Sequence, residues 1–73
     1  MNIPNSVKAL LAELGCNNCR DINMKYDGYA VFEPLPEVFL EGNLPDYILF
    51  LGDDARFAKK EERVAIYKRF YLD

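Results

Sequence analysis

The apolar residues Val7, Leu10, Leu11 and Leu14 fall at i, i+3, i+4 and i+7, the spacing that gathers them on one face of a helix. Asn5 or Ser6 stands ahead of them as a cap and Gly15 behind them as a left-handed terminator, so the pattern predicts a helix over 6–14. The period then changes. After the polar link Cys16-Asn17-Asn18-Cys19, the stretches Ile22–Tyr26 and Tyr29–Glu33 read as two strands flanking Asp27-Gly28. That dipeptide supplies the positive φ angles of a tight two-residue hairpin turn.

Residues 34–45 form a proline-punctuated connection in which Pro36 and Pro45 are each expected to open a short helical turn, with Gly42 and Gly52 closing them. Tyr47–Leu51 is a continuous apolar run. Periodicity does not separate a buried strand from a short buried helix there, and the reading leans to helix. Asp53 and Asp54 are expected to cap a helical segment over Ala55–Glu62. From Val64 to Leu72, Val64, Ile66, Lys68, Phe70 and Leu72 alternate with Ala65, Tyr67, Arg69 and Tyr71, which reads as a strand. The fold class expected is α+β: one small domain spanning residues 1–73, its N-terminal helix packed on an antiparallel sheet of about three strands.

Size narrows the function. A chain of 73 residues, 51% hydrophobic, holds one core and leaves no length for a large substrate cleft. No apolar run approaches the roughly 20 residues of a membrane span, and the N-terminus lacks the basic-then-apolar layout of a signal peptide. A cytoplasmic location is expected, that of the host cell if the protein is encoded by a phage. With no histidine and no tryptophan, acid–base chemistry near neutral pH needs a strongly shifted carboxylate, lysine, tyrosine or thiol, so no enzyme is expected.

Cys16 and Cys19 have the C-x-x-C spacing of a dithiol or metal-binding module, which stands as one alternative reading. Against it, Cys16 follows the end of a helix, where the macrodipole opposes a thiolate, and structural zinc takes about four soft or imidazole ligands. Ordinary buried thiols in a turn are the competing reading. The pairs Asp53-Asp54 and Glu61-Glu62 fit a helix cap and a solvated turn better than a catalytic pair, because adjacent side chains point apart. The glycines are scattered and form no phosphate loop. No cofactor and no metal are expected.

The net charge of -3 conceals a segregation along the chain. Residues 1–20 carry +1, residues 21–54 carry -7 and residues 55–73 carry +3. Between Asp27 and Asp54 the acids Asp27, Glu33, Glu37, Glu41, Asp46, Asp53 and Asp54 occur without an intervening base. Such a surface steers a basic partner, unless the two segments fold against each other and neutralise themselves. Among the aromatics, Tyr67 and Tyr71 with Arg69 are expected to share one sheet face, a composition typical of protein–protein hot spots. The competing reading covers that face with helix 6–14. Arg63, Lys68 and Arg69 also interleave with Tyr67, Phe70 and Tyr71 as in single-strand nucleic-acid platforms, but the acidic middle of the chain repels phosphate. Direct nucleic-acid binding is therefore disfavoured.

A small domain with segregated charge, spare tyrosines and no enzymatic signature resembles the host-takeover proteins of bacteriophages. More narrowly, it resembles the small regulators, of the kind found in Xanthomonas phages, that bind host RNA polymerase, block promoter use and promote read-through of terminators. The likeness is one of size and character over the whole chain, and no binding residue is carried over from it. It implies a protein-binding regulator whose partner is a large host complex, RNA polymerase first among them, and no membrane. The partner-binding residues expected from the chain itself are Glu33, Glu37, Asp53, Asp54, Tyr67, Arg69 and Tyr71. An acidic mimic of nucleic acid that inhibits a host defence enzyme is the other alternative.

Overall fold

A computed structural model describes residues 3–35 and 45–72, the last two as backbone. The chain is an α+β domain in which a four-stranded antiparallel meander is covered by a helix on each face. Helix α1 spans Asn5–Glu13. Its cap position is Pro4, whose carbonyl accepts the Lys8 N–H at 3.0 Å, and no side chain caps it. Asn5 and Ser6 are thus already helical rather than capping residues. At the other end Gly15 takes φ +76°, as expected. The Cys16 N–H reaches the Leu11 carbonyl at 2.9 Å and the Gly15 N–H the Ala12 carbonyl at 3.1 Å, the paired bonds of a Schellman stop.

Strands β1 (Asn18–Tyr26) and β2 (Tyr29–Leu35) form the first hairpin, closed by Asp27 at φ +51° and Gly28 at φ +86°. Both angles are positive, as a type I′ turn requires. Between the pairs Asp21–Phe32 and Lys25–Ala30 strand β1 bulges, with Asn23 at φ +56° and its N–H held by the Asp21 carboxylate at 2.8 Å. β1 is an edge strand, and a bulge beside an exposed lysine discourages edge-to-edge pairing with another chain.

Strands β3 (Ile48–Leu51) and β4 (Asp54–Phe57) form the second hairpin through Gly52-Asp53, with Gly52 at φ +63°. The run Tyr47–Leu51 is therefore strand and not helix. It is apolar throughout because β3 lies inside the sheet with a layer on either side: Ile48 and Phe50 pack toward α1, and Tyr47 and Leu49 pack the other way. The segment expected as a helix over 55–62 divides in two. Ala55 and Phe57 alternate with Asp54 and Arg56 along β4, and the second helix, α2, begins only at Lys60. Asp53 and Asp54 accordingly serve the hairpin turn rather than a helix cap. Pro45 precedes β3 without a helical turn, while Pro36 and Gly42 lie outside the described residues.

The largest difference from expectation is at the C-terminus. Residues 64–72 form no strand: α2 spans Lys60–Tyr67 and continues as a π-helical turn over Lys68–Leu72. Two facts of position decide this. Arg63, Ile66 and Phe70 lie at i, i+3 and i+7, one helical face, and the face of the sheet carrying Ile22, Val31 and Leu49 needs a cover that α1, on the opposite face, does not provide. Ile66 is fully buried there, a gain of about 1.5–3 kcal/mol for one such side chain. At the start of the helix the Glu62 carboxylate accepts the Lys59 N–H at 2.8 Å, the N3 half of a capping box.

Candidate functional site

Because β2 and β3 are antiparallel, with Ala30 opposite Phe50, the two hairpin turns lie side by side at one end of the sheet. The register there aligns a single row. Tyr26 pairs with Tyr29, Leu51 pairs with Asp54, and one position beyond the Ala30–Phe50 pair Tyr29 stands opposite Leu51. Tyr26, Tyr29, Leu51 and Asp54 thus cross all four strands on the face that carries α2. Further along that face Val31 and Leu49 are sealed by Ile66. Leu51 is 51% exposed, the exposed large hydrophobic among the described residues. Tyr26 and Tyr29 are half-buried, packed against the rim of the core below.

The charges at this end are unequal. Asp27, Asp53 and Asp54 are exposed, and none of them enters an ion pair with a described residue. Arg56, one row below Asp54 on the same face, does not neutralise them. It gives two parallel hydrogen bonds to Glu62, at 2.7 and 2.8 Å, while its guanidinium lies 4.8 Å from the Tyr29 ring centre. The Arg56 hydrogen bonds push the Glu62 carboxyl down to about 2, against burial and with help from the Lys59 N–H. In return Glu62 first, and Tyr29 second, hold the Arg56 proton above its usual affinity. Lys25 is the exposed base of β1 next to this end, Arg20 lying at the strand's other end.

The expected binding residues do not gather into one site. Asp53 and Asp54 lie at the hairpin end as exposed acids. Glu33 is only 1% exposed and is ion-paired with Arg20, whose guanidinium also sits 5.4 Å from the Phe70 ring. Asp46 is buried too, and Glu37 lies outside the described residues. The acidic run of the sequence is therefore split between surface and interior. The Tyr67–Arg69–Tyr71 face is overturned with the strand that carried it: two residues apart on a helical turn, half-buried Tyr67 and exposed Arg69 point to different sides. Tyr71 lies in the π-helical turn, its side chain outside the description. Arg63, counted among the bases of a nucleic-acid platform, is 4% exposed.

Cys16 and Cys19 are buried in the core beneath α1, beside Val7, Leu11, Phe32 and Ile48. Burial, and secondarily the charge of Asp21, push the Cys19 thiol up, away from the thiolate form that metal binding and redox exchange need. Among the described residues no three of Cys, Asp and Glu converge as metal ligands. Leu51, Tyr26 and Tyr29 were not singled out by sequence reasoning. The signal that locates them is Gly52-Asp53, a second two-residue turn that follows the apolar run Tyr47–Leu51 as Asp27-Gly28 follows Ile22–Tyr26. Comparison with protein-family models, with characterised proteins and with solved structures gives no match. No described helix is long and apolar enough to cross a membrane.

Proposed function

We propose that this chain is a non-enzymatic, stoichiometric protein-binding regulator that docks on a large host complex, bacterial RNA polymerase, to inhibit transcription initiation, to promote antitermination, or both. What supports the reading is the hairpin end. There a half-exposed leucine and two tyrosine rings lie between exposed carboxylates, on a scaffold too small for a large substrate cleft. Exposed acids around an apolar centre favour encounter with a basic protein surface, and the apolar centre then supplies a desolvated anchor. The nucleic-acid mimic has weaker support, since it needs a long row of exposed carboxylates and Glu33 and Asp46 are buried.

The test is gel filtration of the purified chain with purified bacterial RNA polymerase, followed by promoter-dependent transcription in vitro. Co-elution with lowered promoter use or increased terminator read-through supports the proposal. A chain that elutes alone, or one displaced from a host nuclease by duplex DNA, removes it.

A further inference from the structure

We infer that the row Tyr26–Tyr29–Leu51–Asp54 receives a protein segment in which an apolar side chain is flanked on both sides by lysine or arginine. The inference rests on the docking reading above and names the chemistry of the element being gripped. Leu51 stands near the middle of the row and is half exposed, so it has an apolar partner to gain. Carboxylates stand at both ends of the row, Asp27 on one turn and Asp53 and Asp54 on the other. The row spans three strand intervals, about 14 Å at about 4.8 Å each. That matches about four residues of extended chain or two to three turns of helix, at roughly 3.4 Å and 1.5 Å per residue.

Charge selects the occupant. Three exposed carboxylates outweigh Lys25, and the cation one row below, Arg56, is engaged by Glu62. A nucleic acid or an anionic lipid surface meets a like-signed field there, whereas a basic segment meets a complementary one. The platform is also rigid. Both turns are two-residue hairpins, and the Tyr29 ring is held beneath Arg56, so little ordering is left for the moment of binding.

The experiment titrates the full-length chain with a synthetic peptide carrying two leucines between pairs of arginines, followed by amide chemical shifts. Two control peptides replace the arginines by glutamates or the leucines by serines. The expected result is perturbation confined to Tyr26–Tyr29 and Leu51–Asp54, with neither control binding. Leu51→Asp should weaken the complex by about tenfold, and combined Asp27→Asn, Asp53→Asn and Asp54→Asn by about tenfold with a shallower salt dependence. Asparagine is chosen because residue 27 sits at positive φ, which it tolerates. Thermal melts confirm that both variants fold. Perturbation elsewhere, no binding, or affinity indifferent to both variants overturns the inference. If RNA polymerase retains the chain and the Leu51→Asp variant equally, this inference fails while the proposed function stands. If the peptide occupies the row but polymerase ignores the chain, the reverse holds.

Discussion

Arg56 is the residue on which the two halves of the molecule meet, since it belongs to the sheet, closes over Tyr29 and grips the first turn of α2 through Glu62. Glu62→Gln keeps a cap acceptor for the Lys59 N–H but removes the charge, and should cost about 1 kcal/mol at neutral pH in urea unfolding. The pH dependence has a definite sign. A carboxyl lowered from its ordinary 4.5 to about 2 stabilises the folded state fully above about 4.5 and loses that contribution as pH falls toward 2. The gap between wild type and Glu62→Gln should therefore narrow across that interval, and a gap that widens in acid would contradict the assignment. The thiols make a second residue-scale test. Cys16 and Cys19 are buried, so a thiol reagent should modify the native protein only as fast as the protein opens, and react at once in denaturant. Rapid native labelling would restore the dithiol reading.

At the scale of elements, what was legible in the sequence is what local chemistry determines. Helix α1 and the first hairpin follow from four spaced leucines and valines, a terminal glycine and Asp-Gly, none of which depends on distant residues. Gly28→Ala should accordingly cost about 1 kcal/mol, because its φ of +86° suits no other residue well, whereas Asp27→Asn should be nearly neutral in the same denaturation assay. The elements misread are those whose form is set by tertiary context. Tyr47–Leu51 is apolar on both sides only because helices cover both faces of β3, and residues 64–72 show a period of two that a helix overrides by burying Ile66 and Phe70 against the uncovered sheet. Ile66→Ala tests that override directly. It should cost about 2–5 kcal/mol, much of the stability of so small a domain, and expose the face of Val31 and Leu49 to a hydrophobic dye. A loss below about 0.5 kcal/mol, the size of a surface substitution, would mean that α2 is not the cover described.

Seen as a whole molecule, the charge segregation along the chain becomes a polarity in space, though not the one its linear order implied. Within the acidic run Glu33 and Asp46 turn inward, and its exposed described members, Asp27, Asp53 and Asp54, collect at the hairpin end, while Glu13 and Glu61 are exposed on α1 and α2. Lys59 and Lys60 are exposed beyond the opposite end of β4. Sequence order alone does not reveal this, because sorting an acidic run into surface and core requires the sheet register, and Leu51 gains meaning only when two turns are known to lie together. The central claim is that the chain works by docking this end onto a larger protein. Hydrogen exchange of the chain's backbone amides, with and without saturating bacterial RNA polymerase, tests it most directly. The account predicts added protection at Tyr26–Tyr29 and Leu51–Asp54 and none at exposed Lys68 and Arg69 on the far C-terminal turn. Protection centred on that turn, or no change anywhere, would contradict it.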